Sequence, residues 1–173
     1  MAGFRNAREM AIAQDAGRYL YRSWRKVPTQ ATGSGVWFDL SMSPGNPVPN
    51  YYIGTPGAFT PLSRSANGGI DHGPDCAAFG YKKFLRKLLG LTVTATAAPL
   101  TMQLMDYIGF YGFIDESVTD EQPLDNTLAP IRYQDGRGVM LMPIVVAGQT
   151  GGQTFTVNYT NSEGVSGRIT PPV

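Results

Sequence analysis

Apolar side chains recur at helical spacing in one stretch of the chain. Phe4, Ala7 and Ala11 recur at helical spacing, and so do Ile12, Ala16, Tyr19, Leu20 and Trp24, as one face of a helix requires. The pattern predicts a helix over residues 4–26, ended by Pro28 and the small-residue run at 31–35. Beyond Gly35 the rhythm changes to short runs bounded by Gly and Pro. Residues 36–40 (VWFDL) and 51–53 (YYI) read as short strands. Between them SMSPGNPVPN carries three prolines and must be an ordered turn or an extended loop. Residues 54–80 form a long, turn-rich connection. A loop of that length in a small domain is functional or is shaped by a neighbour.

Residues 81–96 fit either period at their start, and the alternation of Thr92, Thr94 and Thr96 decides for strand from Leu89 onward. Residues 101–114 predict a long strand, broken or bulged near Gly109 and Gly112. Residues 139–146 predict another, whose Pro143 demands an edge position or a bulge. Residues 154–160 alternate strictly, turn through Asn161, Ser162, Glu163 and Gly164, and return over 165–170, the clearest hairpin in the chain, closed by Pro171 and Pro172. Seven or eight short strands predict a mainly β protein, an antiparallel β-sandwich or jelly-roll-like domain with one N-terminal helix. The division expected is a helical arm over residues 1–27 and a single sandwich domain over 28–173, with no internal repeat.

Composition changes this picture in one respect. Hydrophobic residues make up 42% of the 173 positions, enough for one core, but charged residues only 16%, below the usual quarter. A charge-poor surface fits a protein that buries much of itself against partners. The net charge of +1 selects neither nucleic acid nor membrane. The single cysteine, Cys76, excludes an intrachain disulfide framework. The N-terminus lacks the apolar core of a signal peptide, and no apolar run approaches a membrane span. The expectation is a protein made and kept in a soluble phase.

Candidate chemistry is sparse. Asp71, His72, Asp75 and Cys76 form the one dense group of potential ligands, but Gly73-Pro74 inside it reads as a turn and the spacing matches no metal motif. Asp115, Glu116, Asp120, Glu121 and Asp125 offer carboxylates for glycoside hydrolysis or calcium, and the preferred reading is a loop that is solvated or faces a basic surface such as the N-terminal arm of a neighbouring copy. Gly33-Ser34-Gly35 lacks the rest of a dinucleotide fingerprint. Neither a catalytic set nor a cofactor is expected. The candidate interface residues are Arg18, Arg22 and Arg25 on the basic arm, Tyr51 and Tyr52 beside the proline-rich loop, and Asp120 and Glu121 in the acidic loop. Charge pairing of arm and loop between copies would set orientation more than affinity.

Several stretches carry a resemblance: GVWFDLSMSPGNPVPNYYIG (35–54), the segment 105–115, TDEQPLDNT (119–127), IRYQDGRGV (131–139) and FTVNYTNSEGVSGRIT (155–170). Together they cover most of the chain beyond residue 35, and their order resembles a group of small virion structural proteins of tailed bacteriophages. The resemblance implies a capsid decoration or minor capsid protein, assembled in the host bacterial cytoplasm and located in the virion. The partners it implies are the major capsid protein or other virion proteins, and copies of the chain itself, a trimer being one form. It implies neither a membrane nor a specific nucleic acid as partner. The alternative is a tail, collar or fibre-associated module that binds a host glycan or connects virion parts.

Overall fold

The computed structural model of the protein describes residues 4–31, 33, 35–63, 69–71, 73, 83–93, 101–115, 117–146, 152 and 154–173. The order of elements is α1 (Ala7–Asp15), β1 (Arg25–Lys26), β2 (Gly45–Asn46), β3 (Phe59–Pro61), β4 (Gly109–Tyr111), β5 (Asn158–Tyr159) and β6 (Arg168–Ile169). The strands form three two-stranded antiparallel sheets, β1–β2, β3–β4 and β5–β6. The helix expected over 4–26 is therefore shorter, and the described residues contain no sandwich.

Both ends of α1 have local causes. Asn6 is the N-cap and its side chain accepts from the Glu9 N–H at 3.0 Å, while the Glu9 carboxylate accepts from the Arg5 N–H at 2.9 Å. Two otherwise orphaned donors are satisfied in this way. At the other end Gly17 takes φ +72°. Its N–H donates to Gln14 O and the Arg18 N–H donates to Ala13 O, each at 2.8 Å. This is the Schellman pair of bonds, and a residue with a side chain disfavours the left-handed backbone it needs. The helix stops there although apolar spacing continues to Trp24, because the left-handed backbone at Gly17 ends the helical run.

The best-built part of the molecule is the β3–β4 ladder, in a stretch of sequence that reads as connection. Phe59 opposes Tyr111, Thr60 opposes Phe110 and Pro61 opposes Gly109. The ladder is extended by Leu62 N–H to Ile108 O at 3.0 Å and Gly57 N–H to Gly112 O at 2.8 Å. On its other side β3 meets Asp125, whose carbonyl accepts from the Phe59 N–H and whose N–H donates to Gly57 O, both at 2.9 Å. Phe59 is 9% exposed and is the one large apolar side chain buried to this degree among the described residues. Its ring occupies the place where a Cβ on Gly109 would sit, and a Cβ on Gly112 would press on the carbonyls of Gly54 and Thr55. The expected strand over 101–114 contracts to Gly109–Tyr111, and the two glycines mark close backbone approach.

The C-terminal hairpin is as expected and continues further. Asn158 opposes Ile169 and Tyr159 opposes Arg168, and Thr170 N–H donates to Val157 O at 3.0 Å. Phe155 and Val173 then exchange both backbone bonds, at 3.3 and 3.1 Å. That places one residue, Thr156, against two, Pro171 and Pro172, so the prolines sit in a bulge instead of ending the pairing. The Asn161 side chain accepts from the Glu163 and Val165 N–H groups and closes the turn.

Other expected strands are corrected. Residues 36–40, 51–53, the described residues 83–93 of the 81–96 segment, and 139–146 have irregular backbone. Residues 81, 82 and 94–96 of that segment, and most of the Asp71–Cys76 group with His72 and Cys76, lie outside the described residues. Among the described residues, no helix is long and apolar enough to cross a membrane.

Gly109→Val places a branched side chain in the volume of the Phe59 ring. The expected cost is about 1–3 kcal/mol, typical of overpacking. A lower urea midpoint at unchanged slope is the check.

Candidate functional site

Three Asp-x-Ser/Thr triplets organise the loops. Asp39, Asp115 and Asp125 each accept, through Oδ1, from the backbone N–H two residues on, at 2.8, 2.9 and 2.8 Å. The same oxygens accept from the hydroxyls of Ser41, Ser117 and Thr127. These are Asx turns, which need only a short carboxylate and a donor at the second following residue. The bonds from Ser117 and Thr127 hold the Asp115 and Asp125 carboxyls below the ordinary range. Gln122 adds a side-chain imitation of strand pairing, donating to Asp115 O at 2.7 Å and accepting from the Asp115 N–H at 3.0 Å. The acidic loop thus uses two of its carboxylates to shape itself. Among the described residues no three Asp, Glu, His or Cys side chains come together as a metal set.

The turn at Asp39 is the base of a larger knot. The Ser41 hydroxyl donates to Asp39 at 2.7 Å and lies 2.6 Å from the Tyr52 hydroxyl. A serine has one proton to give, so Tyr52 donates to Ser41 and Ser41 to Asp39. The Tyr52 ring meets Tyr107 edge-on at 5.8 Å and Phe110 at 5.4 Å, while Phe59 meets Tyr111 at 5.4 Å. Burial raises the Tyr52, Tyr107 and Tyr111 pKa values, most for Tyr107, where the charge of Asp39 adds to it. Asp39 Oδ2 is buried and has no hydrogen-bond partner at ordinary distance among the described residues. Lys26, from β1, donates to Ser43 O at 3.1 Å and Ser41 O at 3.4 Å. Burial lowers its pKa, against the opposing pull of Asp39. The Val27 N–H donates to Pro44 O at 2.8 Å, so the proline-rich loop is tied to β1 by backbone and side chain together.

This knot separates the two candidate tyrosines. Tyr52 has φ +49°, a left-handed backbone that costs a residue with a side chain about 1–2 kcal/mol. In return its ring turns inward. Its neighbours Tyr51 (61% exposed) and Ile53 point out, as do Trp37 and Val48 on the same loop. The result is an apolar outer surface on a loop fixed from behind.

A second fixture closes the lower end of β3–β4. Arg132 makes a two-pronged bond to Asp106, with Nε to Oδ2 at 2.8 Å and a terminal nitrogen to Oδ1. Its remaining donors reach Leu62 O at 2.8 Å and Tyr107 O at 2.7 Å. The guanidinium is 10% exposed, and the bonds to Asp106 raise its pKa. Only a planar fork satisfies four acceptors at once in this way.

The remaining candidate residues lie apart from these knots. Arg22 pairs with Asp71 at 3.3 Å. Arg18, Arg25, Asp120 and Glu121 are exposed, and among the described residues none of them makes an ion pair. Among the described residues no ion pair joins the basic arm to the acidic loop. Asp39, Ser41, Tyr107, Asp106 and Arg132 were not among the candidates, although the Asp-x-Ser/Thr spacing is a signal for three of the turns. No protein-family model, curated protein or solved structure matches the chain.

Arg132→Lys keeps the charge and loses the fork, with an expected cost of about 1–3 kcal/mol, read from the denaturation midpoint. The raised tyrosine pKa values give a signed pH dependence. The neutral phenols are favoured in the folded state, so stability is unaffected below about pH 10, the unfolded tyrosine value. Above it stability falls, because the unfolded chain ionises first. Unfolding followed across pH 9–12 should show that fall in the native chain and a smaller one in Tyr52→Phe/Tyr107→Phe.

Proposed function

We propose that the protein is a structural component of a tailed-phage virion, a capsid decoration or minor capsid protein. It works by burial against the major capsid protein and against its own copies, and carries out no catalysis. The observation that supports this reading is the surface the chain leaves uncovered. Among the described residues many large apolar side chains stand exposed, including Trp37, Tyr51, Ile53, Leu91, Met140 and Val146. Patches of this kind mark contact surfaces.

The charged residues fit the same reading. Asp115 and Asp125 are engaged in turns, whereas Arg18, Arg25, Asp120 and Glu121 remain open to a partner. On a shell of repeated copies, the arm of one and the acidic loop of the next would fix register. A tail, collar or fibre position is the second reading, favoured by Trp37 and Tyr51 facing outward from a rigid loop, where sugar rings stack on aromatics.

The deciding measurement is a reconstruction of the source particle by electron cryo-microscopy. Density for the chain repeating over the icosahedral shell is the expected result. Density at the tail or neck favours the second reading, and binding on a glycan array would then be its check. Purified protein that fails to associate with its own particles refutes both.

A further inference from the structure

The net charge of +1 conceals a division along the chain. Residues 1–105 carry eleven basic and five acidic side chains, whereas residues 106–173 carry three basic and eight acidic. Such asymmetry points to a charged surface as partner. Within the basic part, residues 76–105 hold Lys82, Lys83, Arg86 and Lys87 and no Asp or Glu. Tyr81, Phe84, Leu85, Leu88 and Leu89 are interleaved with these cations. On a helix, at about 100° per residue, the five apolar positions would fall within about 140° of the circumference, and the four cations within about 140° on the opposite side. Gly90 follows, as a helix end favours.

The isolated chain does not use this pattern. Residues 83–89, the part of the segment that is described, have irregular backbone and are exposed. From Phe84 to Leu89 no backbone N–H or C=O makes a hydrogen bond among the described residues. Leu85 is 67% exposed and Leu89 68%, and Arg86 and Lys87 make no ion pair among the described residues. The Phe84 ring lies 5.3 Å from that of Phe4, which sets the segment beside the start of the basic arm. A helix of so few residues is marginal in water. It needs a surface that covers its apolar face.

We propose that residues 81–89 fold as an amphipathic helix on an anionic lipid surface, with Phe84, Leu85, Leu88 and Leu89 below the headgroups and the four cations among the lipid phosphates. Charge selects the occupant: four cations without a counter-charge in thirty residues complement an anionic leaflet. The leucines select among anionic partners. Nucleic acid would match the cations and leave the apolar face bare, whereas a bilayer interface supplies negative charge and apolar depth together. Basic residues on one face, with Phe and Leu on the other, are the composition of helices that lie in the headgroup region. Lipid is a partner class that the family resemblance does not imply, and the proposal stands independently of the virion reading.

Vesicle binding by the full-length protein tests it. The protein should co-sediment with vesicles of phosphatidylglycerol and phosphatidylcholine in equal parts, and not with vesicles of phosphatidylcholine alone. Arg86→Gln/Lys87→Gln should weaken binding about twenty- to thirty-fold, at about five-fold per cation near an anionic leaflet. Leu85→Ser/Leu89→Ser leaves the charge unchanged and should weaken it at least about ten-fold. All four side chains are exposed, so neither pair should move the urea midpoint. On anionic vesicles, hydrogen exchange should slow at the amides of Leu85 to Leu89, the ones that a helix beginning at Tyr81 satisfies. Failure to bind anionic vesicles overturns the proposal. So does binding that the serine pair leaves intact, which is surface charge alone, or bound protein whose Leu85–Leu89 amides exchange as fast as in solution. Retention by a DNA duplex that needs Arg86 and Lys87 but not the leucines, with vesicles left unbound, overturns it in favour of nucleic acid.

Discussion

Phe59 lies across the face of Gly109, and the backbone on both of its sides is committed: to Tyr111 and Gly112 through β4, and to Asp125 through the acidic loop. Three distant stretches of sequence meet at this ring. Two further groups extend the meeting point without enlarging it. Tyr52 reaches it by way of Phe110, bringing the proline-rich loop with it, and Arg132 anchors the segment after the acidic loop to its far end. Remove the ring or fill the space at Gly109, and the loops lose their common reference, because among the described residues no other large apolar side chain is buried as deeply. Burying one phenylalanine contributes on the order of 2–3 kcal/mol, a large share where Ala13 is the other buried apolar residue among those described.

What the sequence made legible was mostly local. The C-terminal hairpin could be read from the alternation of residues 154–160 and the Asn-to-Gly turn, since both signals act over a few residues. Asn6 and Gly17 are equally local signals for the ends of α1, and the apolar spacing up to Trp24 runs past the second of them. The expected strands over 36–40, 51–53 and 139–146 failed for a physical reason: side-chain pattern creates a tendency, and a ladder needs a partner backbone. The β3–β4 pair was missed for the opposite reason. Phe59, Thr60 and Pro61 sit among glycines and prolines with no periodicity, and only a contact some fifty residues away makes them a strand. Of the candidate residues, Tyr51 and Tyr52 looked equivalent in sequence, and the left-handed backbone at Tyr52 separates them. Nothing local announced that turn or the fork of Arg132.

Stiffness and burial are usually supplied together by a core, and here they are divided. Asx turns at Asp39, Asp115 and Asp125, the ammonium of Lys26 against two carbonyls, and the hydroxyl chain from Tyr52 to Asp39 fix the loops with polar contacts made on the spot. Apolar side chains are then left to face outward from a backbone that is already shaped. Such a surface loses less conformational freedom on docking than a floppy one, which favours affinity per unit of buried area. The division suits the proposed part in an assembled particle, whose neighbours would cover the apolar side chains that the described residues leave exposed.

The order of events during synthesis follows from the bond between Arg132 and Leu62, which are 70 residues apart. Closing so wide a loop is entropically costly and slow compared with helix or hairpin formation. The ribosome must also deliver Arg132 before the latch can close. The β3–β4 ladder cannot form before residue 111 is made and is unsecured until residue 132 follows, so for most of elongation the nascent chain has only α1 and the β1–β2 pair among these elements. A polysome translating one message holds many such chains close together, so encounter between siblings and completion of the fold occur over the same interval.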